Sequence, residues 1–261
     1  MAEIHSLVLY KEEGKNMPVD ISKLTKHDVA RMMDYAILAP EWQDKHQLAG
    51  CEDVKKYKFA AYYVLPHWTP LVVEQIGAFC KESHTLIGTG ISFPYGSATT
   101  KAKLAESEDQ IEIGCTVLDM VANISWLKDR KYDLYQKECE QFVKLVHDAG
   151  LIAKVIIQIG YLNDEETIAA TKMVANAGAE FVKTATGTGP SGRPNFHDVQ
   201  IMLNTLGDLK ASTRLKVSGV VDPKVLNAYA FIRMGAALIG TRAAVEIVES
   251  LPDVQRLLYP N

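Results

Sequence analysis

Short apolar runs alternate with longer amphipathic segments along most of the chain, and this alternation constrains the fold more than any other feature of the sequence. It is typical of repeated strand–helix units, whose strands lie parallel in one sheet. Eight strands are predicted, over residues 33–39, 58–65, 85–93, 116–124, 153–160, 179–186, 214–221 and 236–241. Eight such units favour a closed (β/α)8 barrel. A doubly wound open sheet is the alternative, because periodicity alone does not show closure.

Helices are predicted between the strands, for example over residues 164–177. This helix begins with a predicted Asn163 cap and acidic residues in its first turn, where the helix dipole favours negative charge. No linker or low-complexity segment interrupts the pattern, so the whole chain of 261 residues is interpreted as one barrel domain. Residues 1–26 are expected to form an amino-terminal cap or helix, and residues 251–261 a carboxyl-terminal tail.

The composition fits a protein with a large core, since 48% of the residues are hydrophobic and 23% are charged. A net charge of −4 gives no general attraction for nucleic acid or for an anionic membrane, so neither is expected as a partner. No apolar run reaches the roughly 18 residues that a membrane span needs. The amino terminus lacks the pattern of a signal peptide, and the four cysteines form no CxxC pair. A cytoplasmic protein with reduced thiols is therefore expected.

Two lysines lie near the carboxyl ends of neighbouring predicted strands. Lys183 belongs to the sixth strand and Lys216 to the seventh, and small, turn-forming residues follow each of them. A lone lysine in a strand is usually an edge residue or one whose amine reaches solvent. Two lysines at equivalent places weaken that interpretation, because like charges that point into one cavity repel each other. Since the carboxyl ends of barrel strands surround the active site, Asp119 and Asp34 are expected to join the two lysines.

A lysine beside a second cation, in a partly desolvated place, has a lowered pKa. Its neutral amine can attack a carbonyl and form a Schiff base, whose iminium then accepts electrons from a breaking carbon–carbon bond. Such chemistry also needs a group that moves protons, and Asp119 is the natural candidate. A structural salt bridge between Asp119 and one of the lysines is the simpler interpretation, and the two roles are compatible.

The motifs around these residues resemble those of the deoxyribose-phosphate aldolases, which are class I aldolases. "FVKTATG" resembles the Schiff-base lysine motif, "LKVSG" the second-lysine motif and "LDMVANI" the aspartate motif. The resemblance implies that Lys183 forms the Schiff base, that Lys216 perturbs its pKa and that Asp119 transfers protons. It also implies a (β/α)8 barrel without metal or organic cofactor, a small carbonyl or sugar substrate, and a homo-oligomer, as a dimer or a higher assembly.

The sequence departs from the family's pattern where the substrate's phosphate would bind. The run after Lys216 has Val220 where the family usually has a second glycine, and Asp222 would repel a phosphate dianion. After the eighth strand, Arg242 stands where the family usually has a serine-type hydroxyl. It can hold a carboxylate, a sulfonate or a phosphate, or pair as a surface arginine with an acidic residue of the last helix. The predicted substrate-binding residues are Asp34, Gln158, Gly187, Ser218, Gly219 and Arg242.

The sequence therefore favours a class I aldolase that joins or cleaves a small carbonyl donor and a hydroxylated aldehyde, with a substrate that is not phosphorylated or carries a different anion. One alternative is a Schiff-base transaldolase or dehydratase that acts on a related sugar. Another is a barrel that binds a metabolite without turnover. Aromatic residues around the first two strands either contact the pocket or pack against helices; they are Tyr35, Trp42, Tyr62, Tyr63, His67 and Trp68.

Overall fold

The computed structural model of the chain describes residues 18–190 and 192–260. Within these residues eight parallel strands close into a barrel, in which each strand pairs with the next and β8 pairs with β1. The strands are β1 (Met33–Ile37), β2 (Ala61–Val64), β3 (Leu86–Ile91), β4 (Val117–Val121), β5 (Ile152–Ile156), β6 (Phe181–Lys183), β7 (Arg214–Ser218) and β8 (Leu238–Thr241). Each overlaps a predicted strand. The prediction of a closed (β/α)8 barrel is confirmed, and the open-sheet alternative is excluded.

Helices surround the barrel and connect its strands. They are α1 (Lys26–Arg31), α2 (Asp44–Tyr57), α3 (Thr69–Ser83), α4 (Thr100–Ile113), α5 (Ile124–Lys128), α6 (Tyr132–Asp148), α7 (Asp164–Asn176), α8 (Phe196–Leu209), α9 (Lys224–Met234), α10 (Ala244–Glu249) and α11 (Leu251–Leu258). In the expected amino-terminal cap, residues 1–17 lie outside the described residues, and Ile21–Lys23 forms a 3-10 turn before α1. Most of the expected carboxyl-terminal tail belongs to α11.

Local capping interactions set the ends of these elements. The Asn163 side chain accepts a hydrogen bond from the backbone N–H of Glu166, whose carboxylate accepts one in return, and this capping box starts α7 as predicted. The fourth strand is shorter than predicted. It ends at Val121 because Asn123 caps α5 by accepting a hydrogen bond from the N–H of Trp126, which turns the chain out of the sheet.

The barrel interior has an apolar part and a charged part. Its apolar side chains form a cluster of their own, separate from the larger core between the strands and the helices. Three members of this cluster are Val117, Ile152 and Phe181. Alternate residues of a strand point to the same face, so the residue two positions later on each strand also points inward. Those residues are Asp119, Lys154 and Lys183, and they bring charge into the barrel at the end where the strands finish.

None of the helices within the described ranges combines the length and the apolar character that crossing a bilayer requires.

Candidate active site

Five charged residues meet inside the barrel, and each of them is at least 95% buried. They are Asp34 of β1, Asp119 of β4, Lys154 of β5, Lys183 of β6 and Lys216 of β7. The Oδ2 atom of Asp119 accepts from Lys183 Nζ at 2.9 Å and from Lys216 Nζ at 2.7 Å. The Oδ2 atom of Asp34 lies 2.5 Å from Lys216 Nζ and 2.7 Å from Lys154 Nζ. Lys216 therefore bridges the two carboxylates.

The three amines share two carboxylates, so the cluster holds one more potential positive charge than negative charge. Lys183 is poorly compensated, since the single carboxylate oxygen that it contacts is also bound by Lys216. Burial lowers the pKa of Lys183 to about 8; the Asp119 carboxylate opposes this change and the Lys216 ammonium adds to it. For Lys216, burial also favours the neutral amine, but the carboxylates of Asp119 and Asp34 raise its pKa above the ordinary value. The cluster thus keeps Lys216 charged and makes Lys183 the amine that loses its proton more readily.

Lys183 also differs from the other two lysines in its position. It is the last residue of β6, whereas two strand residues follow Lys154 in β5 and two follow Lys216 in β7. Its side chain keeps 6% exposure, against 1% for each of the others. Among the three amines, that of Lys183 is therefore nearest to the carboxyl-terminal mouth, where substrates of barrel enzymes bind.

Asp119 is held in place by its surroundings. Burial raises the pKa of its carboxyl, but Lys183 and Lys216 outweigh burial and bring this pKa well below the usual range, so Asp119 stays ionised. The end of its strand is held by a buried ion pair between Lys103 and Glu138. Lys103 donates to the carbonyl of Val121 at 2.8 Å and to Glu138 at 2.9 Å. This arrangement fixes β4 at the level of the site.

The loops after β6 and β7 meet beside the lysines. Thr184 Oγ1 donates to the carbonyl of Ser218 and accepts from its N–H. Gly219 and Gly187 have φ angles of 81° and 93°, which favour glycine. A Cβ atom on Gly219 would lie 3.6 Å from the Cα of Gly187. Three predicted substrate-binding residues, Gly187, Ser218 and Gly219, are thus brought together.

The hydroxyl of Ser218 is a free polar group in this region. Ser218 is 5% exposed, and its Oγ atom has no hydrogen-bond partner within the described part of the chain. A Cβ atom on Gly240 of β8 would lie 2.0 Å from this Oγ and 3.0 Å from Lys216 Cε. The missing side chain at Gly240 therefore leaves the space into which the Ser218 hydroxyl points, next to Lys216.

The side-chain amide of Gln158 is hydrogen-bonded to neighbouring loops. Its side-chain N–H group donates to the carbonyl of Pro94 and to the Thr186 hydroxyl, each at 2.9 Å, and its oxygen accepts from the Thr186 N–H at 2.8 Å. The amide is thus occupied by the loops after β3 and β6. Gln158 organises these loops, and its predicted contact with substrate stays a prediction.

The two remaining residues of the predicted substrate site lie apart from the loops after β6 and β7. Asp34 is fully buried and engaged by two lysines, so its position is that of a partner within the charge cluster. Arg242 is exposed, and its guanidinium carbon lies 5.3 Å from the centre of the Trp42 ring. Because β1 and β8 are neighbours, this stacking joins the loops that follow them. Among the described residues, Arg242 has no carboxylate within salt-bridge distance.

Comparison with known proteins identifies the family. The chain is 36% identical over 223 residues to a deoxyribose-phosphate aldolase from Thermoanaerobacter pseudethanolicus, covering 85% of this chain and 96% of that protein. It is 32% identical over 244 residues to the enzyme of the same name from Bacteroides thetaiotaomicron, covering 94% of this chain and 99% of that one. The chain belongs to the deoxyribose-phosphate aldolase family. It is accordingly an aldolase, that is, an aldehyde-lyase.

A solved structure agrees with this assignment, although no family model matches the chain. The deoxyribose phosphate aldolase from Aeropyrum pernix, whose structure is tetrameric, superimposes with a TM-score of 0.76 and 26% identity. The superposition covers 88% of this chain and 93% of that one. The resemblance to this family is thus confirmed at the level of both sequence and fold.

Two members of this aldolase's charged site were missed or left open by sequence reasoning. Lys154 was not singled out, although it lies two residues after inward-facing Ile152 and pairs in register with Asp119. The alternation of side chains along the strand, which places every second residue on the same face, would have identified it. For Tyr63 the sequence left open whether it contacts the pocket or packs against helices; its side chain points into the barrel, where its hydroxyl lies 2.5 Å from Asp119 Oδ1.

Proposed function

We propose that the protein is a class I aldolase in which Lys183 forms a Schiff base with the carbonyl donor. The observation that carries this proposal is the amine at the end of β6, which shares Asp119 Oδ2 with the bridging ammonium of Lys216. A pKa of about 8 leaves a useful fraction of Lys183 neutral near neutral pH. Family membership supports the same assignment.

In the cleavage direction, the lone pair of Lys183 Nζ attacks the substrate carbonyl carbon, and the oxygen gains a proton to give a carbinolamine. Loss of water gives an iminium. Removal of the proton from the β-hydroxyl then breaks the bond between the α and β carbons, and the released electron pair forms an enamine on Lys183. The aldehyde product leaves, the α carbon is protonated, and water hydrolyses the new iminium. The hydrogen-bonded pair of the Lys216 ammonium and the Asp119 carboxylate carries these proton transfers.

The donor half of the substrate is a small carbonyl compound and the acceptor half is a hydroxylated aldehyde. Ser218 supports this assignment, since its unpaired hydroxyl beside Lys216 can bind a substrate hydroxyl. Backbone N–H groups near Gly187 and Gly219 are candidate hydrogen-bond donors to the rest of the substrate. The names of the relatives specify deoxyribose phosphate for those proteins.

The tail of the substrate is proposed to be uncharged or to carry an anion other than a simple phosphate dianion. Val220 places a buried side chain directly after Gly219, and Asp222 places an exposed carboxylate two residues further on. Arg242 supplies one cation in a planar form, held against Trp42. Such a guanidinium suits a planar carboxylate through two parallel hydrogen bonds.

A substrate panel with product analysis tests the proposal. Deoxyribose with and without its 5-phosphate is offered for cleavage, and acetaldehyde, acetone, dihydroxyacetone and pyruvate are offered as donors with hydroxylated aldehydes. We expect two carbonyl products in cleavage and a new carbon–carbon bond in synthesis. Transfer that requires an acceptor would indicate a transaldolase, and loss of water with all carbons retained would indicate a dehydratase. A ligand that raises the unfolding temperature without turnover would indicate a binding protein.

The rate of Schiff-base formation is expected to rise with pH because the neutral amine is the nucleophile. Below the Lys183 pKa of about 8, each pH unit increases the neutral fraction, and the rate levels off above that pKa. The expected change is about tenfold per unit on the acid side. Borohydride trapping at a series of pH values from 6 to 10 measures it. A rate that does not change with pH would contradict a protonated resting amine.

Arg242→Ala is expected to raise KM about tenfold for a substrate with an anionic tail, because one charge-assisted contact is worth about 1.4 kcal/mol at a partly exposed site. The KM of an uncharged substrate should stay the same. Arg256→Ala is the matched control, since Arg256 is exposed on α11. Equal effects of Arg242→Ala on charged and uncharged substrates would contradict a role in binding the tail.

The remaining proposals concern the protein as a whole. A single barrel domain is proposed for the full chain, in a cytoplasmic protein. A homo-oligomer, as a dimer or a higher assembly, is proposed by analogy with the tetrameric Aeropyrum pernix relative.

A further inference from the structure

Tyr63 belongs to β2 and is buried inside the barrel next to the charge cluster. Its hydroxyl donates to Asp119 Oδ1 at 2.5 Å, which is the carboxylate oxygen that the lysines leave free. The face of its ring lies against Lys216, whose Nζ is 3.9 Å from the ring centre. Lys154 and Lys183 lie farther away, at 5.4 Å and 5.7 Å. Tyr63 therefore contacts both Asp119 and Lys216, two charged groups that shift the pKa of Lys183.

The neighbouring strand provides the space that the Tyr63 ring needs. Gly88 of β3 pairs in register with Tyr63. A Cβ atom on Gly88 would lie 2.7 Å from both Cε1 and Cζ of Tyr63, a distance too short for any larger residue without a shift. The tyrosine and the glycine thus act as a pair, in which a missing side chain on one strand admits a large ring from the next.

The hydroxyl of Tyr63 keeps its proton and donates it in the hydrogen bond to Asp119. Burial raises the pKa of this phenol well above its ordinary value, and the Asp119 charge raises it further, so the proton stays on the oxygen. Rotation of an aspartate about its last torsion is broad and roughly two-fold. A donor on Oδ1 fixes this torsion, and the other oxygen then faces the two lysines.

The ring of Tyr63 adds a second effect. A cation over an aromatic face is attracted by the negative face of the ring, and the attraction grows as the pair is desolvated. At 3.9 Å the Lys216 ammonium gains more from this contact than Lys183 does at 5.7 Å. The ring therefore favours positive charge on Lys216, where it is also bridged by two carboxylates.

We propose that Tyr63 is a positioning residue, which fixes the Asp119 carboxylate and stabilises positive charge on Lys216, so that Lys183 is the amine that more readily becomes neutral. This inference rests on the proposed Schiff-base function. The titratable groups that face Tyr63 are Asp34 of β1, Cys115 before β4, Asp119 of β4, Lys154 of β5, Lys183 of β6 and Lys216 of β7.

Tyr63→Phe tests the proposal, because it removes the hydroxyl and keeps the ring. Without this donor, the full Asp119 charge acts on the lysines, so Lys183 holds its proton more strongly. At pH 7 we expect kcat/KM and the rate of borohydride trapping on Lys183 to fall about tenfold, with recovery toward the original values at pH 9 to 10. Tyr63→Leu removes the ring as well, and the expected alkaline displacement of the profile is larger.

Tyr62→Phe is the matched control. Tyr62 lies on the same strand and is equally buried, but its hydroxyl donates to Gln47 outside the charge cluster. This variant is expected to keep the original pH profile. An unchanged profile in Tyr63→Phe, or a loss that is the same at every pH, would overturn the proposal. Failure of both Tyr63 variants to fold while Tyr62→Phe folds would also overturn it, in favour of a purely structural role.

The wild-type trapping experiment separates this inference from the proposed function. If the unaltered protein forms no adduct on Lys183, the Schiff-base function itself fails. If it forms the adduct and Tyr63→Phe shows the original pH profile, only the role of Tyr63 fails.

Discussion

Lys183→Ala is expected to lower the rate of carbon–carbon bond cleavage by about four orders of magnitude or more, because the variant has no amine at the end of β6 to form the covalent intermediate. Lys216 and Lys154 do not replace it, since the side chain of each is only 1% exposed, against 6% for Lys183. Steady-state kinetics with the best substrate of the panel measures the loss.

The control for this variant is Lys101→Ala. Lys101 is an exposed lysine of α4, so its removal takes away one amine without touching the barrel interior. The control is expected to keep the original activity and stability. Substantial activity in Lys183→Ala, together with trapping at another lysine, would contradict the assignment of the nucleophile.

Lys216→Met is expected to lower kcat/KM about a hundredfold at pH 7, with partial recovery at higher pH. The Lys216 ammonium lowers the pKa of Lys183, and it also occupies the Asp119 oxygen that Lys183 contacts. Without it, Asp119 pairs with Lys183 alone, and the Lys183 ammonium becomes more stable. Each unit by which the Lys183 pKa rises removes about tenfold of the neutral amine at pH 7. The pH dependence of kcat/KM measures this change.

Lys216→Arg serves as the comparison, since it keeps a positive charge between Asp34 and Asp119. Its profile is expected to move less toward alkaline pH than that of Lys216→Met. A Lys216→Met enzyme whose profile keeps the original pKa, with a loss that is equal at every pH, would show that Lys216 does not control the protonation of Lys183.

The barrel was predictable because its strands carry their own pattern. Each strand is a short apolar run, and the alternation with amphipathic segments marks it even without a known partner. The strand ends were less accurate, and β4 shows why. The apolar sequence continues past Val121, but the Asn123 cap starts α5 there, so local hydrogen bonding ends a strand that hydrophobicity alone would extend.

The central residues of the site were predictable for a related reason. Lys183 and Lys216 are charges placed where a strand should be apolar, and such exceptions are visible in a single sequence. Their pKa difference was only partly foreseen. The neighbouring cation and partial desolvation were both expected to lower the pKa of Lys183, and burial is the larger of these two causes. Burial depends on the closed barrel.

Other features of the site depend on contacts between segments that are far apart in the sequence. Tyr63 reaches Asp119 only because Gly88 leaves space for its ring. Gln158 is occupied by Pro94 and Thr186, which belong to two other loops. No spacing rule predicts these pairings, since they follow from the register of neighbouring strands and from the path of the loops after closure.

The most direct test of the account is peptide mapping of the protein after borohydride reduction with a panel of carbonyl compounds. The account predicts one reduced adduct on Lys183, with the mass of the donor half of the substrate, and its absence in Lys183→Ala. An adduct on Lys216 or Lys154 would contradict the assignment of the nucleophile. No adduct with any active carbonyl compound would contradict the Schiff-base mechanism itself.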